Sequence, residues 1–333
     1  MNKRERIYAA VNLQKTDRLP YSFWSHLPGI DLDATKLAEA TYQFYKAYDL
    51  DFVKTMNNGM YPIEDFGCKI DYSEITHGGV AKIISTPVQS PEDWAKLSIC
   101  SVSEGSLARE LDSLKQLLAK VKSEHVPVVF TSFSPITIAD KLCGKKVLEH
   151  IRQGHGDKVK QALEVIAETT ANLAKAAIGL GADGIFFASQ MSSYDITTPE
   201  LYLEYGKPYD LQVLEAAQGG WMNTIHAHGS NVMFELLSDY PTSVFNWHAW
   251  ETLPAIDEAK LLTGKCLMGG LNRNDITNCN RNAIRHQIYA SYQLTGGRGL
   301  ILTPGCVIRY PLNDAMLAYV NTAKEFVESR MRL

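Results

Sequence analysis

The chain has 333 residues, enough for one large domain or two small ones, with 45% of them hydrophobic and 21% charged. That profile excludes disordered, collagen-like and low-complexity proteins. Basic residues number 33 against 37 acidic ones, a net charge of −4, so no basic excess argues for a nucleic-acid partner, whose affinity rests on neutralising phosphates.

In chain order, the N-terminus is charged, lacks an apolar run and a small-residue cleavage site, and reads as a helix rather than a signal peptide. Strands are expected over 19–25 and 51–56, where β-branched, aromatic and aliphatic residues cluster. The next strand comes only at 126–132, after roughly seventy residues, too many for one strand-to-helix step. An insertion over about 59–124 is therefore expected, holding extra helices or a small hairpin that includes residues 80–86. A helix over 157–180 follows, with Val159, Leu163, Ile166, Ala167, Leu173 and Ala174 on one face. Strands at 183–189, 221–228, 242–248, 266–271 and 299–304 then alternate with helices at 199–218, 233–237, 253–262, 282–294 and 313–331.

Eight strands alternating with helices predict an α/β fold, a (β/α)8 TIM barrel occupying residues 1–333 as a single domain. A doubly wound open sheet is the alternative, since alternation alone does not specify closure. Gly179-Leu-Gly181-Ala-Asp-Gly184 imitates a dinucleotide fingerprint but ends a helix and precedes a strand, the reverse of the order that phosphate binding needs. Thr295-Gly-Gly-Arg-Gly299 lacks the lysine of a P-loop. Six cysteines without a CxxC pair point to reduced thiols, and no run approaches the about eighteen apolar residues of a membrane span. A cytoplasmic protein is expected.

The active site of such a barrel is assembled from strand C-termini and the loops after them. Those positions hold Trp24 and His26, Asn57, Ser132 and Ser134, Gln190 and Tyr194, His226 and His228, Asn246 and His248, Asn272 and Cys306. His226 and His228 stand two apart on one strand, so their side chains share a face. With Cys306 after the last strand they make a set of three ligands and an open position, the layout of a catalytic zinc site. A plainer account stays open at this point. HxH is a short motif, and a lone cysteine after a strand is usually a small buried hydrophobe. No paired carboxylates stand at neighbouring strand ends, which argues against glycosidase-type chemistry.

Thr16-Asp-Arg-Leu-Pro20, Ser134-Pro-Ile-Thr-Ile-Ala-Asp140, Gly181-Ala-Asp-Gly-Ile185, Pro208-Tyr209, Gly270-Leu-Asn272 and Ile301-Leu-Thr-Pro-Gly-Cys306 together resemble the uroporphyrinogen decarboxylase superfamily. The resemblance runs from about Arg4 to Phe326 and implies the same barrel. True uroporphyrinogen decarboxylases carry arginines after the first strand and an aspartate after the second. Here those segments read Phe23-Trp-Ser-His-Leu-Pro-Gly29 and Met56-Asn-Asn-Gly59, with neither group. The corrinoid-linked methyltransferases of the superfamily instead bind zinc through a His-x-Cys pair and a Pro-Gly-Cys. His226, His228 and Cys306 match these positions, His228 replacing a cysteine with another competent ligand.

The resemblance implies a zinc-dependent methyltransferase whose methyl donor is a corrinoid (methylcobalamin) presented by a partner protein. His248 or Glu251 is then the fourth ligand or an acid/base. Trp24, His26, Asn57, Ser132, Ser134, Gln190, Tyr194, Asn246, Asn272 and Arg309 are expected to bind a small-molecule substrate. A decarboxylase acting on a smaller carboxylated substrate, anchored by Arg309, is the alternative. A non-catalytic barrel subunit that binds a ligand or corrinoid partner is the third reading. A homo-oligomer is compatible with all three.

Overall fold

A computed structural model describes residues 1–77, 81–309, 312, 315 and 317–319. Its strands are β1 (Val53–Lys54), β2 (Lys69–Asp71), β3 (Lys82–Ser85), β4 (Val128–Phe133), β5 (Gly184–Ser189), β6 (Thr224–Ala227), β7 (Val244–Trp247), β8 (Cys266–Leu271) and β9 (Leu300–Pro304). Seven of them form one parallel sheet in the order β1-β4-β5-β6-β7-β8-β9, while β2 and β3 pair as a separate antiparallel hairpin. Every residue of β4 through β9 is buried. This is why these strands read as continuous apolar runs rather than alternating ones, a parallel sheet being covered on both faces.

The first of the eight expected strands is not a regular one. Residues 19–25 join the sheet only through isolated parallel bridges, Tyr21 to Leu302 and Ser25 to Ile308. The Leu302 N–H donates to the Pro20 carbonyl at 2.8 Å and the Ser22 N–H to the Leu302 carbonyl at 3.0 Å. On the other side the Asp51 N–H donates to the Tyr21 carbonyl at 2.9 Å and the Ser22 hydroxyl to the Phe52 carbonyl at 2.8 Å. Two features interrupt a regular ladder here. Pro20 has no N–H to give, and the Tyr21 N–H is taken by the Asp51 carboxylate at 2.9 Å. The segment nevertheless bridges β9 and β1, so the curled sheet with its outer helices is TIM-barrel-like.

Between β1 and β4 stand the expected extra elements. Helix Tyr61–Glu64, the β2–β3 hairpin, a 3-10 turn at Pro91–Lys96 and helix Gly105–Val121 fill this stretch. The helix expected over 199–218 is broken into Pro199–Tyr205 and Lys207–Ala216. Pro208 has no N–H to continue the helical ladder, and its ring conflicts with the turn before it. The helix at 157–180 extends over Gly156–Leu180, whereas the one expected over 313–331 lies largely outside the described residues. Among the described residues no helix is long and apolar enough to cross a membrane.

Candidate metal centre

β6 and β7 build the site in two rungs. Their register sets His226 opposite Asn246, and on both strands the residue two positions later is a histidine, so His226, His228, Asn246 and His248 share a face. The His228 N–H donates to the Ser189 carbonyl at 3.0 Å, extending the strand one residue before Gly229 turns the chain at φ 101°. Cys306 arrives from beyond β9 through Pro304-Gly305. A side chain at position 305 would place its Cβ 2.4 Å from the Cα of His248. Only glycine lets this turn lie against the end of β7.

The Nδ1, Nε2 and Sγ donors of His226, His228, His248 and Cys306 lie within 4.8 Å of one another. His226 Nε2 is 3.4 Å from His228 Nδ1, and Cys306 Sγ is 3.6 Å from the same nitrogen. Tetrahedral coordination with bonds of ~2.0–2.3 Å sets donors ~3.3–3.8 Å apart, so these spacings fit a zinc-sized ion. Ring orientations fit it as well. Asn246 is held by its amide donating to the Met268 carbonyl at 2.7 Å, which aims its Oδ1 at His226 Nδ1, 2.5 Å away. His226 therefore carries its proton on Nδ1 and turns the Nε2 lone pair into the cluster. Glu251 stands 3.5 Å from His248 Nδ1 and 3.4 Å from Arg273 Nε.

The cluster's electrostatics suit a cation. Burial works to raise the Cys306 thiol, but hydrogen bonds with His226, His228 and His248 outweigh it and hold the thiol well below its ordinary range. Burial pushes His226 down to about 4, so it stands neutral. Burial also works to lower His248, yet Cys306 and Glu251 leave it raised. One thiolate and three imidazoles, all buried or half-buried, are the soft and borderline donors that zinc prefers.

The remaining expected site residues divide. Trp24 lines the barrel interior, its ring 5.3 Å from Phe186, which is 5.1 Å from the His226 ring. Tyr194, His26 and Arg309 are exposed, Tyr194 in a loop whose N–H donates to the Asn231 carbonyl at 3.0 Å. Gln190 is half-buried, and its N–H donates to Thr137 Oγ1 at 3.1 Å. The others turn away from the cluster. Asn57 donates to buried Glu110, and Ser132 lines a small void between sheet and helices with Tyr61, Leu107 and Leu173. Ser134 donates to buried Asp210 at 2.6 Å. Asn272 caps helix Arg273–Thr277 by accepting from the Asn274 N–H at 2.8 Å.

Lys54 was not among the expected site residues. It is 7% exposed in β1, with Nζ 4.9 Å from the Phe186 ring centre and 5.6 Å from that of Trp24. A lysine inside an apolar strand was the available signal, because lysine is almost never buried without a partner.

The family model described as uroporphyrinogen decarboxylase (URO-D) matches residues 2–326. Among curated proteins, methylcobamide:CoM methyltransferase MtbA of Methanosarcina acetivorans is 24% identical over 229 residues, 64% of this chain and 66% of its own length. The MtbA of Methanosarcina mazei is 25% identical over the same shares, so the chain spans 66% of the length of these relatives. MtaA of Methanosarcina barkeri is 26% identical over 51% of this chain and 48% of its own length. Among solved structures, a methyltransferase from Methanosarcina mazei superposes with a TM-score of 0.80 at 18% identity, covering 98% of this chain and 99% of that one. A B12-independent methionine synthase from Shewanella superposes at 0.58 and 14% identity, covering 96% and 95%. Both share the fold.

Proposed function

The chain belongs to the uroporphyrinogen decarboxylase family, and from that premise we propose that it is a zinc-dependent methyltransferase. It would activate a small thiol or similar acceptor and take the methyl group from a corrinoid on a partner protein. The convergence of three imidazoles and one thiol within 4.8 Å carries the reading, and the printed activity of the curated relatives supports it. The same reading takes the chain as one barrel unit with 59–124 as its insertion.

His226, His228, His248 and Cys306 are the ligands in this proposal. When bound, zinc supplies Lewis acidity that lowers the pKa of an acceptor thiol. One thiolate against Zn²⁺ leaves a charge of +1, where two thiolates would leave none, so this donor set favours a strongly acidified acceptor. Asn246 holds His226 in the ligating tautomer. Glu251 orients His248 more loosely, at 3.5 Å against 2.5 Å for the Asn246 contact, so His248 would be more readily displaced by an acceptor than His226. Phe186 and Trp24 keep the inner face dry.

Metal content of protein purified without chelator tests the reading. One zinc per chain is expected, with zinc and methyl transfer from methylcobalamin to a thiol both lost in His226→Ala. A chain that takes up no zinc, or a His226→Ala variant that still transfers, overturns it.

A further inference from the structure

We infer that Asp31 and Glu110 form a proton-operated latch at the barrel mouth: while these buried carboxyl groups keep a proton, the segment 27–33 stays closed, and losing it releases that segment. The inference stands apart from the proposed methyl transfer. Asp31 lies in the short 3-10 turn Ile30–Leu32, just after the strand-like segment 19–25 reaches the mouth. It is 3% exposed, yet its Oδ1 meets no donor. Glu110, in helix Gly105–Val121, is fully buried. Its Oε1 accepts from Arg109 Nε at 2.9 Å and its Oε2 from the Asn57 amide. Asn57 Oδ1 is likewise buried without a donor. Buried acceptors left without donors are costly, and a charged one more so.

The charges around the pair do not balance. Glu64, in helix Tyr61–Glu64, accepts from Arg109 Nη2 and from the Tyr72 hydroxyl, both at 3.0 Å. Asp65 is committed to the N–H groups of Ser106 and Leu107 at 2.8 and 2.9 Å. Asp33 and Lys36 pair at 3.9 Å on the solvent side, and Lys141 donates to the Gly59 carbonyl at 2.8 Å. Among the described residues, Asp31, Glu64 and Glu110 thus face one guanidinium, that of Arg109. Burial raises Asp31 to about 6 and Glu110 to about 7 against the pull of Arg109, and the Asp31 charge raises Glu110 further. Only the histidine–cysteine cluster brings three metal-ligating groups together among the described residues, so a proton rather than a metal ion relieves the pair. Glu110 cannot leave the interior of a 17-residue helix. Asp31 sits on a short turn entered through Gly29 at φ 77° and held at its carbonyl by the Asn58 amide at 3.4 Å. Once ionised, Asp31 regains water at least cost when this turn swings outward. The closed form binds the extra proton, so closure is favoured at low pH and lost as pH rises through about 6–7.

Hydrogen–deuterium exchange of the full chain at about pH 5 and about pH 8.5, corrected for intrinsic rates, tests this. The amides of Asp31 and Asp33, bonded to the Leu27 and Ile30 carbonyls at 3.0 and 3.2 Å, report on the segment. Their protection is expected to fall ~10-fold or more at the higher pH, the worth of one pKa unit, while that of β8 holds. Asp31→Asn, neutral at both values, should keep the segment protected throughout. Should that variant not fold, infrared spectra of Glu110→Gln decide: the wild type must show a protonated-carboxyl band that this variant removes and that titrates over the same range. Equal protection of the wild-type segment at both pH values overturns the latch, as does the same fall in Asp31→Asn or the lack of such a band. Protection restored at the higher pH by potassium or magnesium ions would assign the pair to a cation and overturn it as well.

Discussion

Asn246 determines which nitrogen His226 offers. Its Oδ1 accepts the Nδ1 proton, and its own amide is pinned to the Met268 carbonyl. Asn246→Leu should therefore leave the fold intact and weaken zinc binding about 10–100-fold, the usual cost of removing a partner behind a metal-bound histidine. Competition with a chromophoric chelator measures this, and unchanged affinity would count against the assigned tautomer. Gly305 acts by being small. An added Cβ would sit 2.4 Å from the His248 Cα, so Gly305→Ala should lift Cys306 away and lower zinc occupancy. Of these residues, His226 and His228 were legible from the two-residue period of a strand, and Cys306 from its place after the last one. Ser134 was misleading for a reason no local pattern carries: its hydroxyl partner, Asp210, belongs to helix Lys207–Ala216.

At the scale of elements, Asp210 ties the end of β4 to the two helices after β5. It accepts from Ser134 and Tyr202 at 2.6 Å and from Tyr240 at 2.8 Å, and Tyr202 also meets Ser189 at 2.7 Å. Asp210→Ala would strand three buried hydroxyls and should cost about 3–5 kcal/mol in denaturant unfolding. Burial pushes Asp210 up to about 6, above its ordinary 3.8, against the pull of its hydroxyl partners. The sign follows from proton counting. Between about pH 4 and 6 the folded chain binds more protons than the unfolded one, so Asp210's contribution to stability is present at low pH and lost as pH rises through about 6. Unfolding free energies measured from pH 4 to 8 should show wild type losing on the order of 3 kcal/mol relative to Asp210→Asn. Parallel profiles for the two proteins would refute this role. The element boundaries themselves were largely readable, and the break at Gly206–Pro208 follows from proline chemistry.

At the scale of the whole molecule, the seam where the sheet meets itself rests on one buried carboxylate. Asp51 is fully buried and accepts from Arg6 at 2.7 Å, from Arg18 at 2.6 and 2.8 Å, and from the Tyr21 N–H at 2.9 Å. It thus joins the N-terminal helix Lys3–Val11 and residues 20–25 to the start of β1. Asp51→Ala removes the buried anion that Arg6 and Arg18 share and should destabilise the fold by about 3–5 kcal/mol. A thermal scan reads the loss, and a melting point within a degree of wild type would show that the seam is held by backbone bonds instead. The sequence by itself determined the alternation of strands and helices, the pairing of His226 with His228 on one face, and the family. Each of these depends on neighbours a few positions apart, or on motifs spread along the whole chain. Only the tertiary structure decided that His248 joins the cluster, that Ser132 faces the helices, and that Lys54 stands buried beside the Phe186 ring. Those outcomes depend on strand register and on how the sheet curls, which are set by packing between segments far apart in sequence, such as Ser25 and Ile308, 283 residues apart.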